Sequence, residues 1–377
     1  MADERSAMIQ PERMTQLFLE LVQIRSATQA ERSLAERLRK ELTGLGLQVV
    51  EDDAGRRIGG DCGNLVANLA GSRPGPTLLF SAHMDTVEPS LGIRPKVEDG
   101  WIRAGGDTIL GADDKAGIVA ILEMLCVLRE ERLSHPPIQV LFSVAEESGL
   151  AGVRHLDRSL LSADLGYILD SDAAPGEIIT SAPGQDRLEV TILGRSAHAG
   201  IAPEKGVNAI LAAARSLAAM PLGRIDEETT ANVGTIHGGR ATNIIPDRVE
   251  LALEARSRNL EKLAQQTRLM VGVFEKTARK HGAVAQIEVS RTYPPYRFPE
   301  EADVVQRAQR AARVAGLAPS LVLTGGGSDA NFLNQYGVPS VVLGIGMVNP
   351  HTCEEAYPVA AFQQVASLLL ALCEANP

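Results

Sequence analysis

A handful of short stretches in this 377-residue chain carry side chains suited to holding cations and moving protons. They are His83-Met-Asp85, Gly111-Ala-Asp-Asp-Lys-Ala-Gly117, Glu146-Glu147 and Asp170, with His351 as a last candidate near the C-terminus. Imidazole among carboxylates suits zinc or a similar divalent ion, whereas magnesium prefers oxygen and water. Two such ions, about 3.5–4 Å apart, need a shared ligand. A carboxylate has two oxygens for that purpose; a neutral imidazole does not. The charges balance as well, with Asp113, Glu147, Asp170 and a bridging hydroxide set against two divalent ions. Glu146 is then left to take a proton from the bound water. Asp85 is expected to accept the second ring N–H of His83 and so fix its tautomer. Taken alone, each stretch has an ordinary alternative. Asp113-Asp114 could cap the helix that follows, Glu146-Glu147 could be a solvated loop, and Asp170 could sit in a turn.

The elements around these residues make them a set. Apolar runs at 64–69, 77–82, 138–144, 164–169 and 339–345 read as strands. Residues 11–24, 30–42 and 114–131 show helical periodicity; in the last, Ile118, Ile121, Leu122, Leu125 and Leu128 recur at three and four. The pattern predicts an α/β layer with a buried mixed sheet flanked by helices. His83, Glu146, Glu147 and Asp170 each follow a strand, where ligands gather in such sheets. Asp113 joins them from the loop ahead of its helix.

The middle of the chain changes character. Strand 186–193, helix 208–220, strands 229–236 and 247–256, helix 260–281 and strand 284–292 give a βαββαβ order, a ferredoxin-like unit. Val249, Leu251, Leu253 and Ala255 alternate with charged residues, so one face is covered and one is wet. The expected division is a first catalytic part over 1–183, an inserted domain over 184–294 and a second catalytic part over 295–377. Length favours two domains. The formal charge of −10 argues against nucleic acid or an anionic membrane as partner. No apolar run is long enough to span a bilayer. Four cysteines without C-x-x-C spacing suggest a reduced, cytoplasmic setting.

Ser81-Ala-His-Met-Asp-Thr-Val87, Gly111-Ala-Asp-Asp-Lys-Ala-Gly117, Ala145-Glu-Glu-Ser-Gly149 and Pro350-His351, in that order, resemble the di-zinc exopeptidase and amidohydrolase family. That family includes peptidase T, carboxypeptidase G and succinyl-diaminopimelate desuccinylase; the closest likeness is to the peptidase T-like branch. The resemblance implies a zinc-exopeptidase catalytic domain with an inserted lid or dimerisation domain. It implies Asp113 as bridging ligand, Glu147 and His351 on one ion, and His83 and Asp170 on the other. Asp170 is preferred to Asp172 because it directly ends its strand. Glu146 is implied as general base, Asp85 as the residue behind His83, and a cis peptide after Asp113. In the inserted domain, Gly194-Arg-Ser-Ala-His-Ala-Gly200 resembles the family's lid loop, so His198 is expected to stabilise the oxyanion. Asn243, Arg256 and Gly326 resemble substrate-binding positions, with Arg256 gripping a carboxylate through paired hydrogen bonds. The expected activity is hydrolysis of a terminal amide of short peptides, with two zinc ions, or manganese or cobalt, as cofactor. A homodimer through the inserted domain is a further expectation. The alternatives are an N-acyl amino acid amidohydrolase or carboxypeptidase on the same site, and a non-catalytic binding protein that keeps the fold.

Overall fold

The structure, a computed structural model, describes residues 2–374. It divides into two compact units, Met1–Ser181 with Phe298–Thr324 and Ser328–Pro377, and Ala182–Arg297 with Gly325–Gly327.

The larger unit is built on a mixed sheet. From one edge its strands run Gln48–Glu51, Leu65–Leu69, Ile138–Ser143, Leu78–His83, Leu165–Ile168, Ser340–Leu343 and Glu177–Ala182, and Ser320–Leu323 adds to the last of these. The central four, from Ile138–Ser143 to Ser340–Leu343, are mutually parallel. Every residue of Leu78–His83 and Ile138–Ser143 is buried, as strands covered by helices on both faces must be. Because these four strands point the same way, the loops that leave their C-terminal ends emerge along one edge. His83, Glu146, Glu147, Asp170 and His351 all lie at or after such an end.

Helix Ala112–Glu130 crosses from Leu78–His83 to its parallel neighbour Ile138–Ser143 and is buried along nearly its whole length. Non-helical angles at Asp113 and Asp114 set its first turn apart, and the Asp113–Asp114 peptide is cis. Gly117 lets this helix approach the sheet, since a Cβ there would lie 2.7 Å from the Leu169 carbonyl oxygen and 2.4 Å from Asp114 Oδ1. Helices Pro11–Val22 and Val359–Glu374 complete the core, where Phe18 packs on Tyr357 and Phe362. Proline at the first turn of Pro11–Val22 sits where no N–H is needed.

The smaller unit has the expected ferredoxin-like layout. Its antiparallel strands run in the order Thr229–Gly238, Arg248–Ser257, Gly184–Leu193 and Val284–Tyr293, with Gly223–Arg224 on the outer edge. Val249, Leu251, Leu253 and Ala255 are buried together with residues of helices Ala209–Ala218 and Leu260–Lys280. Asn208 and Asn259 cap these helices through their side chains. Gly325–Gly327, which the sequence reading gave to the larger unit, groups with the smaller one. A Cβ at Gly327 would lie 2.5 Å from the Tyr293 ring, so this glycine permits a close approach.

Candidate metal centre

His83 ends its strand fully buried. Its Nε2 lies 3.0 Å from Asp113 Oδ1 and 4.0 Å from Asp170 Oδ1. Its Nδ1 lies 2.8 Å from the backbone carbonyl oxygen of Asp85. A ring proton on Nδ1, donated to that carbonyl, leaves Nε2 with a bare lone pair. Asp85 thus stands behind His83 chiefly through its main chain, with its carboxylate 3.5 Å from Nδ1. That carboxylate instead accepts the N–H of Glu146 at 2.9 Å, the N–H of Glu147 at 3.2 Å and the Thr28 hydroxyl at 2.8 Å.

His351 approaches the other oxygen of Asp113. Its Nε2 is 3.0 Å from Asp113 Oδ2 and 2.9 Å from Glu147 Oε1. Glu147 Oε1 is nevertheless a buried atom with no hydrogen-bond partner, so nitrogen and oxygen are close without being aimed at each other. Two ligands on one tetrahedral zinc, each about 2.0–2.1 Å from it, stand roughly 3.3 Å apart. The observed separations bracket that value. His83, Asp113 and Asp170 form one trio with ligand atoms within 4.8 Å of one another, and Asp113, Glu147 and His351 form a second. The trios share only Asp113, which offers one oxygen to each imidazole. Glu146 groups with His83 and Glu147 by the same measure. Asp172, the rival to Asp170, is exposed and belongs to none of these groups.

The electrostatics agree with the geometry. Burial, then the charge of Asp170, pushes the Glu146 carboxyl well above its ordinary range, and burial with Asp113 does the same for Asp170. Burial acts on Asp113 too, but His351 and His83 outweigh it and hold this carboxyl low. Contact with Asp113 and then Glu147 pushes His351 up to about 10. So many acidic groups in one buried space favour positive charge, and the donor set of two imidazoles and three carboxylates fits two divalent cations.

Several residues that hold this arrangement were given no site role from sequence. Asp114, fully buried, accepts the His83 N–H on Oδ2 at 3.2 Å. Glu355 accepts the N–H groups of Leu110, Gly111 and Asp113 at 2.8, 2.7 and 3.0 Å. Glu31 accepts the Ala145 N–H at 3.0 Å. Asp329, on the glycine-rich stretch, takes the Ser143 hydroxyl at 2.5 Å, and burial pushes its carboxyl up to about 6.

The remaining candidates lie in the smaller unit. His198 and Asn243 are brought together there, with the Ala199 N–H donating to the Asn243 carbonyl at 2.9 Å and His198 bridging to Ile244. The His198 Nδ1 accepts the N–H groups of Gly200 and Ile201 at 3.2 Å each, so Nε2 is its donor nitrogen. Arg256 already has a carboxylate partner. Its Nε and Nη2 donate to Glu254 at 2.9 and 3.1 Å, which fills one paired-donor edge of the guanidinium. Its Nη1 lies 3.4 Å from the carbonyl oxygen of Gly325, the neighbour of Gly326.

Comparison with known proteins adds a lineage to this geometry. A sequence model of peptidase family M20/M25/M40 matches residues 79–375. The crystal structure of aminopeptidase PepT from Bacillus cereus ATCC 10987 superposes with a TM-score of 0.91 at 46% identity, covering 97% of this chain and 99% of that one. A tripeptidase from Staphylococcus aureus subsp. aureus Mu50 superposes with a TM-score of 0.95 at 42% identity, covering 97% and 98%. The uncharacterised protein YqjE of Bacillus subtilis strain 168 is 43% identical over 367 residues, 97% of this chain and 99% of that protein.

Proposed function

We propose that this chain, which belongs to peptidase family M20/M25/M40, cleaves a terminal amide bond of short peptides as a two-metal exopeptidase of the aminopeptidase or tripeptidase type. The observation that carries the reading is the double use of Asp113, with one carboxylate oxygen 3.0 Å from His83 and the other 3.0 Å from His351. The names of the Bacillus cereus and Staphylococcus aureus relatives, at 46% and 42% identity, point to the substrate class.

In this reading Asp113 would be shared between two divalent ions, zinc in the first instance, with Glu147 and His351 as the further residues that would hold one and His83 and Asp170 those that would hold the other. When bound, such ions supply Lewis-acid polarisation and make water acidic enough to ionise near neutral pH. Glu146 acts as general base and passes a proton to the leaving nitrogen. Its burial raises its proton affinity, which suits that exchange. Asp85 fixes the Glu146–Glu147 backbone, and its carbonyl presents His83 in the ligating tautomer. His198 offers its Nε2 donor to the developing oxyanion. Asn243, Arg256 and Gly326 contact the substrate, with Arg256 acting through the edge that Glu254 leaves open.

The smaller unit supports a homodimer reading. Beyond Thr230 and Ala231, which pair with Gly223–Arg224, the outer edge of strand Thr229–Gly238 has no neighbouring strand among the described residues. No described helix is long and apolar enough to cross a membrane. The four cysteines are unpaired, as a reducing cytoplasm would keep them.

The test is a hydrolysis screen of tripeptides, dipeptides and N-acyl amino acids, with free and blocked termini, alongside metal quantification. Turnover of peptides with a free amino terminus and two ions per chain is expected. Turnover of N-acyl amino acids alone would replace this reading with the amidohydrolase one. Absence of both hydrolysis and bound metal would leave a binding protein.

A further inference from the structure

We infer that Glu355 is a positioning residue that sets the affinity of one cation of the pair, the one held by Asp113, Glu147 and His351, far more than that of the other. The inference rests on the two-cation reading of the site.

Glu355 is only 1% exposed and lies four residues after His351. Its two oxygens divide their work. Oε2 accepts the N–H groups of Leu110 and Gly111 at 2.8 and 2.7 Å, and Oε1 accepts the N–H of Asp113 at 3.0 Å. One buried carboxylate thus holds the turn that delivers the shared ligand. Gly111 takes a φ of +77° in that turn, a conformation glycine adopts without the clash a side chain would bring.

The other end of Glu355 belongs to the loop that carries His351. Val348 and Ala356 close that loop by exchanging backbone hydrogen bonds at 2.9 and 3.0 Å. Immediately beyond, Ala356–Pro358 pairs with Trp101–Ala104. The loop therefore has a fixed base, and Glu355 sits beside it. His351 itself has a φ of +65° and a side chain that is half exposed. The separation of His351 from Asp113 consequently depends on how firmly the two segments are joined, and the Glu355 carboxylate joins them.

The second trio has other anchors. The His83 backbone N–H donates to Asp114 Oδ2 and its ring to the Asp85 carbonyl, and neither contact involves Glu355. Asp170 follows strand Leu165–Ile168, paired on both sides. Loss of Glu355 should therefore loosen the His351 ion far more than the His83 ion. A residue important only for general stability would weaken both alike.

Glu355→Gln is the sharpest probe. The amide keeps one acceptor and turns the other into a donor, so either Asp113 or the Leu110–Gly111 pair meets an N–H it cannot bind. Metal-depleted protein, wild type and variant, is titrated with zinc by calorimetry and with cobalt by absorption spectroscopy. Wild type should take up two ions. The variant should keep one close to wild-type affinity and bind the second at least tenfold more weakly. Its one-cobalt spectrum should superpose on that of His351→Asn and differ from that of His83→Asn. Excess metal should restore most of kcat, because Glu355 touches no reacting atom. Equal weakening of both ions, or no weakening of either, overturns the inference. If wild type itself fails to take up two ions, the two-cation reading fails instead. Glu355→Asp keeps the charge but is one methylene too short to reach both N–H sets. It is judged by the same criteria should the glutamine variant not fold.

Discussion

The Asp85 carboxylate offers a test in which sequence and structure expect different outcomes. If it steadied the His83 ring, Asp85→Asn would first weaken the ion bound by His83. The structure gives that task to the Asp85 backbone carbonyl, 2.8 Å from Nδ1, which any substitution retains. What the variant disturbs is the anchorage of Glu146 and Glu147, whose N–H groups reach the carboxylate at 2.9 and 3.2 Å. Asparagine has one acceptor oxygen, so one of these buried N–H groups must face an amide N–H. Losing a hydrogen bond to a charged acceptor costs about 1.5–3 kcal/mol. The bonds that remain fall to the neutral kind, roughly half as strong. The sum is about 2–4 kcal/mol, divided between folding stability, the affinity of the ion that Glu147 helps to hold, and kcat. At about 1.4 kcal/mol per tenfold, no one of these readouts should change by more than roughly a thousandfold. Two-site metal titration with parallel kcat measurement decides the matter. The His83 ion should keep its affinity within about threefold while the Glu147 ion weakens and kcat falls. Preferential loss of the His83 ion, or a changed His83 tautomer in nitrogen NMR, would refute the reasoning.

Glu146→Gln should bind both ions at wild-type affinity yet lose about 10²–10⁴-fold in kcat; near-normal turnover would remove Glu146 from its role as base. Burial, then the charge of Asp85, pushes the Glu31 carboxyl up to about 7, so the folded protein holds this proton longer than the unfolded chain. Stability from that group is full below the ordinary carboxylate range and is lost as pH rises through 7, a swing of roughly 3 kcal/mol. Glu31→Gln keeps an acceptor for the Gln29 and Ala145 N–H groups and places an amide where Oε2 has no partner. Denaturant unfolding of metal-depleted protein should show the variant gaining on wild type between pH 4.5 and 7, and parallel curves would contradict the shift. Gly117→Ala would drive a Cβ against the Leu169 carbonyl, so calorimetric unfolding should show a loss of about 1–3 kcal/mol or more.

Much of this was legible in the sequence because it is written in side-chain type and spacing. Unbroken apolar runs marked strands covered on both faces, and Leu78–His83 and Ile138–Ser143 are buried at every residue. Alternation marked Arg248–Ser257 as half-covered, and Val249, Leu251, Leu253, Ala255 and Ser257 are its buried residues. The candidate ligands could be read for a related reason. Each needs a particular functional group at a strand end, and the parallel sheet brings strand ends together whatever lies between them.

The supporting layer follows a different logic. Asp85, Asp114, Glu31 and Glu355 act by accepting backbone N–H groups, which every residue except proline supplies and no sequence pattern advertises. Asp85 shows the limit most clearly. A His-x-Asp pair suggests a carboxylate behind an imidazole, and a carbonyl two residues on does the same work with no requirement on the side chain. The carboxylate is thereby released to hold the loop that carries Glu146 and Glu147. Arg256 adds a partner that spacing does not announce, since its guanidinium also meets Glu254, two residues away on its own strand. Side chains that ligate are constrained by chemistry and can be read one at a time. Side chains that position are constrained by the backbone they grip, and that backbone is known only once the chain has folded.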